Sequence, residues 1–115
     1  MKNLFALLLL ATACTMFSAP NYGERFSPPR SYEYMWKEME QCSGLRGDYH
    51  KLEWFRTEDG ALGDKVVGRW YSPHSIILTD FAVSYDATVI IQHEMLHDLR
   101  QSGGHPAVFD TCHVR

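Results

Sequence analysis

The residues of this sequence best suited to chemistry are two histidines and a glutamate in the run His-Glu-Met-Leu-His at positions 93 to 97. In an α-helix, side chains four residues apart lie on one face, so the imidazoles of His93 and His97 can bind a single cation. Glu94 can direct its carboxylate to the open side of that cation. Zinc acidifies a bound water, and a neighbouring carboxylate takes the proton. This HExxH pattern predicts a zinc site with Glu94 as the general base.

A third zinc ligand is expected downstream, because catalytic zinc sites have three protein ligands and a water. His105 is the best candidate, since the turn at Gly103-Gly104 can return the chain toward the helix and Pro106 favours an extended conformation at residue 105. Asp110 and His113 are the alternatives. A donor that stabilises the tetrahedral intermediate is also expected. The candidates for that donor are Tyr71, His74, Tyr85 and His113.

The HExxH run requires a helix, and its flanking residues predict one. Asp86 is a suitable N-cap, residues 87–100 contain neither glycine nor proline, and Gly103-Gly104 provides an end. Apolar residues on this helix predict that its other face is buried; they are Val89, Ile90 and Leu96. The motif therefore occurs in the structural context that it needs.

The elements around this helix predict a single α+β domain. Ser31 as N-cap and Gly44 as the end residue predict a first helix. Its core face would consist of Tyr32, Met35, Trp36 and Met39. Strands are predicted at 49–56, 66–71 and 75–79, with a bend at Pro73 and His74 between the last two.

The N-terminus predicts export. Lys2 precedes a short apolar run, and Leu10-Ala11-Thr12-Ala13-Cys14 resembles a bacterial lipobox. This resemblance implies a signal peptide at 1–13, lipidation of Cys14, a flexible tether at 14–30 and a folded domain at 31–115. The protein would then be anchored by lipid to the membrane of the bacterial cell envelope. Secretion in soluble form, with cleavage near Ala13 or Ala19, is the alternative.

The remaining two cysteines fit an exported protein. With Cys14 lipidated, Cys42 and Cys112 are left to form a disulfide, and two unpaired buried thiols are the alternative. Closing this loop would stabilise the domain by roughly 4 kcal/mol. The formal net charge of -3 provides no basic surface, so nucleic acid is not expected as a partner.

Together these features resemble a small zincin metallopeptidase. The residues that carry the resemblance are the HExxH run, Gly68-Arg69-Trp70-Tyr71-Ser72-Pro73 before it, and the apolar strand Ile76-Ile77-Leu78. The resemblance spans roughly Tyr32 to Cys112 and implies a minimal zincin-like fold, with a small twisted sheet, a backing helix and an active-site helix. It implies zinc as cofactor and a peptide or protein as substrate. It also implies that an edge strand, Ser75–Thr79, pairs with an extended peptide over the zinc.

The branches of this family differ in their third ligand. The pattern HExxHxxGxxH requires glycine at position 100 and histidine at position 103, where this chain has Arg100 and Gly103. The thermolysin-like branch uses a later glutamate, and no glutamate follows Glu94. His105 is left as the expected ligand. The leading hypothesis is a zinc metallopeptidase; the alternatives are a zinc-binding protein without turnover and a peptide-binding module on the same scaffold.

Overall fold

The computed structural model describes residues 22–115, which form an α+β fold with one mixed four-stranded sheet. In chain order the elements are β1 (Glu24–Arg25), α1 (Ser31–Ser43), a 3-10 turn (Tyr49–Lys51), β2 (Glu53–Thr57), β3 (Gly68–Tyr71), β4 (Ser75–Thr79), α2 (Asp80–Ser84), α3 (Thr88–Arg100) and α4 (Val108–Thr111). The predicted signal peptide at 1–13 and the predicted lipidation site Cys14 lie outside the described residues. Within residues 22–115, no helix has both the length and the apolar character needed to cross a membrane.

Helix α1 closely follows its sequence pattern. It buries the predicted aromatic and methionine face, and it ends where Gly44 adopts the left-handed conformation at φ 74°. The predicted cap at its start is wrong. Arg30 occupies the N-cap position, and no side chain caps the helix there. The first turn is instead joined by the backbone hydrogen bond from the amide of Glu33 to the carbonyl of Arg30.

The strand order is β1-β2-β4-β3, which corrects the prediction that Ser75–Thr79 is an edge strand. Strand β4 pairs in parallel with β2 on one side and antiparallel with β3 on the other. All five of its residues are buried. The run Ile76-Ile77-Leu78 is apolar at consecutive positions because both faces of a central strand are covered. The edge strand beside the HExxH helix is β3.

Several boundaries differ from the sequence prediction. Glu24 and Arg25 pair with β2, so part of the segment predicted as a tether at 14–30 belongs to the sheet. The predicted strand at 49–56 is divided, because the side chain of Asp48 caps a short turn at Tyr49–Lys51 and the strand begins at Glu53. The strand predicted at 66–71 begins only at Gly68, so β3, which lies beside the HExxH helix, is two residues shorter than predicted.

Helix α3 carries the HExxH run in its middle and begins at Thr88 rather than directly after an Asp86 cap. The prediction of Asp86 as N-cap is wrong, because Asp86 is a linking residue at φ 48° after the short helix α2. The apolar side of α3 packs into the core through Ile91, Met95, Leu96 and Leu99. Of the residues expected to be buried from the sequence, Leu96 is buried, Ile90 is half-buried and Val89 is exposed. Gln101 at φ 51° ends the helix two residues before Gly103.

The predicted disulfide between Cys42 and Cys112 is confirmed, with the two Cα atoms 5.6 Å apart. It joins the end of α1 to the segment that follows α4. Phe109 and Val114, on either side of Cys112, are almost completely buried. The C-terminal segment is therefore part of the core and lies beside the histidines of α3.

Candidate metal centre

The structure brings the side chains of His93, His97 and His105 together. One ligand nitrogen from each lies within 4.8 Å of the others. The Nε2 atom of His93 is 3.2 Å from that of His97 and 3.1 Å from that of His105. Three imidazole nitrogens this close can bind one metal ion. The predicted ligand set is thus placed as a metal site requires.

The outer nitrogens of the two helix histidines are held by main-chain carbonyls. Nδ1 of His93 hydrogen-bonds the carbonyl of Val114, and Nδ1 of His97 lies 3.1 Å from the carbonyl oxygen of Ser102. A carbonyl only accepts, so each Nδ1 carries the proton and donates it. In the neutral rings, each Nε2 then presents a lone pair toward the centre of the cluster.

The surroundings of His93 and His97 favour the neutral form of both imidazoles and bring the lone pairs of their Nε2 atoms close together. Burial lowers the pKa of both His93 and His97, and their carbonyl hydrogen bonds oppose only part of that effect. With both Nδ1 atoms protonated, no hydrogen lies between the Nε2 atoms of these two residues, which are 3.2 Å apart. Two facing lone pairs repel each other. A cation bound between them removes this repulsion, because each nitrogen donates its lone pair to the metal. The cluster therefore has the electronic form of a metal site.

Aromatic rings fix the orientation of the imidazoles. Phe109 on α4 is fully buried, and its centroid lies 4.9 Å from the ring of His93, 4.8 Å from His97 and 5.1 Å from His105. On the other side, Trp70 of β3 stacks on His97 with an interplanar angle of 19°. The indole nitrogen of Trp70 donates to the carboxylate of Asp98 at 2.9 Å, which fixes the indole in turn.

His105 lies on the exposed loop between α3 and α4, so its position depends on contacts of its backbone. The main-chain carbonyl of His105 accepts a hydrogen bond from Nη2 of Arg115 at 2.9 Å. Arg115 is itself held by two hydrogen bonds to the carboxylate of Asp110, at 2.6 and 2.9 Å. Asp110 thus has Arg115 as its partner, and its role as an alternative ligand is not supported by this geometry.

Glu94 lies beside the three histidines and is only 6% exposed. Burial raises the pKa of its carboxyl to about 7, and the guanidinium of Arg69 opposes part of that rise. A carboxyl with a pKa near neutrality can both accept and return a proton at physiological pH. This is the property required of a general base that later acts as an acid.

Two cavities meet at Glu94 and His93. The larger, called here the histidine cavity, has a volume of about 360 Å³ and also contacts His97, His105 and Trp70. The smaller, called the valine cavity, has a volume of about 270 Å³. Its apolar lining consists of Val66, Val67, Val89 and Ile90. A chain that crosses both cavities would pass directly over the candidate metal centre.

The four residues suggested by sequence as donors to a reaction intermediate are not among those that line either cavity. His74 lies 3.2 Å from the Asp98 carboxylate, Tyr71 stacks on Tyr22, and Tyr85 packs against Phe81 on the surface. His113 is exposed on the C-terminal segment. Sequence reasoning missed Arg69, which does line the histidine cavity. In the sequence, Arg69 is marked only as a positively charged residue within a short predicted strand.

Comparison of the chain with protein-family models, with curated proteins and with solved structures gave no match.

Proposed function

We propose that this protein is a zinc-dependent hydrolase, most specifically a peptidase of the bacterial cell envelope, built on a zincin-like fold. The observation that carries the proposal is the convergence of three imidazole nitrogens beside one buried carboxylate. His93, His97 and His105 supply the metal ligands, and Glu94 is the general base.

The distances within the cluster support zinc as the metal. Tetrahedral geometry with zinc–nitrogen bonds of 2.0–2.1 Å separates two ligand nitrogens by about 3.3 Å. The observed separations from His93 are 3.2 Å to His97 and 3.1 Å to His105. Three imidazole ligands beside a cavity also match the donor set of catalytic zinc, which keeps its fourth position for water. Only a small relaxation would be needed to bind the ion.

The residues of the chain divide the catalytic work in a simple way. When bound, zinc supplies a Lewis acid that polarises a carbonyl and makes a water molecule acidic. Glu94 takes a proton from the attacking water and delivers it to the departing amine. The hydrogen bonds from His93 to Val114 and from His97 to Ser102 keep both imidazoles oriented during these steps.

The free edge of β3 supports a peptide as substrate. Within residues 22–115, β3 pairs only with β4, and three of its residues, Gly68, Arg69 and Trp70, line the histidine cavity. An extended peptide can add to such an edge through main-chain hydrogen bonds. Its scissile bond would then lie over the three histidines.

The envelope location rests on the lipobox-like sequence ending at Cys14 and is supported by the disulfide between Cys42 and Cys112, because disulfides persist in oxidising compartments. Metabolic lipid labelling of the wild type and of Cys14→Ser tests the anchor. Label is expected in the wild type alone. Equal labelling of both proteins would rule out Cys14 as the lipid site.

The function is tested by comparing the wild type with Glu94→Gln and His97→Ala for bound zinc and for cleavage of an unfolded protein. Glu94→Gln should keep zinc and lose turnover, whereas His97→Ala should lose both. Glu53→Gln, at an exposed position of β2, is the matched control and should retain both. Full zinc loading without cleavage would favour the non-catalytic alternative, and a wild type that binds no zinc would refute the metal site.

A further inference from the structure

The permanently charged side chains that line the two cavities are positive, whereas the net charge of the whole chain is negative. The formal net charge of the protein is -3, yet the permanently charged residues lining the cavities are basic. Arg69 borders the histidine cavity, and Lys65 and Arg115 border the valine cavity. Glu94 is the one acidic side chain among the lining residues, and its role is already assigned. A cleft lined by one sign of charge attracts ligands of the other sign.

Two of these cations form no salt bridge within residues 22–115, although Arg69 is close enough to Glu94 to lower the pKa of that carboxyl. Arg115 is paired with Asp110, so that pair contributes little net charge. Arg69 donates to the main-chain carbonyl of Leu62 at 3.0 Å and makes no salt bridge with another described residue. Lys65 forms no salt bridge within residues 22–115 either. Lys65 and Arg69 are therefore available to a ligand.

The valine cavity adds an apolar requirement. Its lining is dominated by Val66, Val67 and Ile90, and it also includes Val89, which is 53% exposed although it lies on the helix of the site. An apolar side chain placed there would remove these groups from water, which is favourable. The cavity therefore fits one apolar residue of a bound peptide.

We propose that the cleft selects peptides in which an apolar residue is flanked by carboxylates, with the apolar side chain in the valine cavity and the carboxylates held by Lys65 and Arg69. This inference rests on the proposed function, because it names the substrate class of that same site. The carboxylate can come from an aspartate or glutamate side chain or from a peptide C-terminus, since the recognised group is the same. Lys65 and Arg69 are then the specificity-determining residues.

Internally quenched peptides test the proposal. The set shares a central leucine and differs only in flanking glutamate, glutamine or lysine, and each peptide is made with a free or an amidated C-terminus. Wild-type kcat/KM should be at least about tenfold higher for glutamate than for lysine peptides, and salt should reduce the difference. A fall in kcat/KM on amidation, whatever the flanking residue, would assign the carboxylate to the C-terminus; a glutamate preference that persists in amidated peptides would assign it to side chains.

Variants of the two cations provide the second arm. The double variant Lys65→Gln, Arg69→Gln should bring the glutamate-to-lysine ratio close to one, and Lys65→Glu, Arg69→Glu should invert it. The measured quantity is the ratio of kcat/KM for glutamate peptides to that for lysine peptides. The absolute rate is unsuitable, because Arg69 also lowers the pKa of Glu94. Arg46→Gln with Lys51→Gln, which removes two exposed cations that line neither cavity, should leave the ratio unchanged.

A measurement of peptide binding distinguishes failure of this inference from failure of the proposed function. Zinc-loaded Glu94→Gln should bind the glutamate peptides at least about tenfold more tightly than the lysine peptides, with or without turnover in the wild type. Cleavage or binding that ignores both the flanking charge and C-terminal amidation would overturn the inference and leave the hydrolase intact. Charge-selective binding without cleavage by the wild type would overturn the hydrolase and retain the selectivity.

Discussion

Gly68 of β3 lies directly against Glu94 of α3. A Cβ atom at position 68 would be 3.2 Å from Cγ and 3.3 Å from Oε2 of Glu94, closer than such contacts normally are. The absence of a side chain at residue 68 therefore lets the edge strand approach the proposed base. This contact sets the distance between the edge strand and the carboxylate that we propose as the general base.

Gly68→Ala should consequently reduce turnover while zinc remains bound. The new methyl group displaces the Glu94 carboxylate or the strand by a few tenths of an ångström, and we expect kcat to fall by about tenfold or more. Zinc content by mass spectrometry and kcat on one peptide are the measurements. Gly103→Ala is the control, since it lines the same cavity and an added Cβ there meets no atom within 4 Å. Equal activity of the two variants would contradict the positioning role.

His105→Ala should weaken zinc binding far more than a change at His113. Loss of a ligand should reduce affinity by at least about 100-fold, which exceeds the usual effect of losing a ligand's hydrogen-bond partner. His113→Asn is the control because His113 has φ 58°, a conformation that asparagine tolerates. Competition with a chromophoric chelator measures both affinities. A greater loss for His113→Asn would transfer the third ligand to that residue.

Removing the carboxyl of Glu94 should stabilise the metal-free protein above neutral pH. Burial raises the pKa from 4.5 in an ordinary glutamate to about 7 in the fold, so the folded state holds this proton more tightly than the unfolded chain does. The associated stability is present below the unfolded-state pKa and is lost as pH rises through the folded-state pKa. Relative to Glu94→Gln, the wild type should lose roughly 3 kcal/mol over this range.

Urea denaturation of both proteins in the presence of a chelator, from about pH 4 to about pH 8, measures this difference. Contributions from the histidines cancel, because both proteins contain them. The two free energies of unfolding should agree at the acid end and separate as the pH rises. A constant difference across the range would show that the Glu94 carboxyl titrates normally.

The disulfide should contribute to zinc affinity as well as to stability. Cys112 lies between Phe109, which packs against all three imidazoles, and Val114, whose carbonyl orients His93. The double variant Cys42→Ser, Cys112→Ser should lower the free energy of unfolding by roughly 4 kcal/mol and weaken zinc binding under conditions where it remains folded. This variant is preferable to a thiol reductant, because thiols bind zinc. Unchanged zinc affinity in the folded double variant would show that burial alone holds the segment.

The features that sequence predicted well are those with a local signal. The spacing of His93 and His97 fixes their common helical face, and the turn before His105 returns the chain to them. The periodicity of α1 likewise identified its buried face. Each of these depends on residues only a few positions apart, where backbone geometry determines which side chains can meet.

The features that sequence missed depend on contacts between distant segments. Nothing local indicates that β4 pairs with β2 and is therefore central, because a short apolar run is compatible with several sheet positions. The Val114 carbonyl and the Phe109 ring enter the site through tertiary packing, and a main-chain acceptor has no residue signature. Asp86 has the residue type of a cap, but the intervening helix α2 shifted the start of α3 to Thr88.

The exposed side of β3 also concerns the behaviour of the protein in concentrated solution. Within residues 22–115 this edge has no strand partner, so its N–H and C=O groups are as accessible to a second copy of the chain as to a peptide, and strand addition between copies is a route to aggregation. Arg69 is the one charged residue of this strand, and a charged side chain on an edge strand opposes such pairing. If the edge of β3 binds a peptide as proposed, it must accept that peptide without pairing with a second copy, and Arg69 is the charged residue of the strand that opposes such pairing.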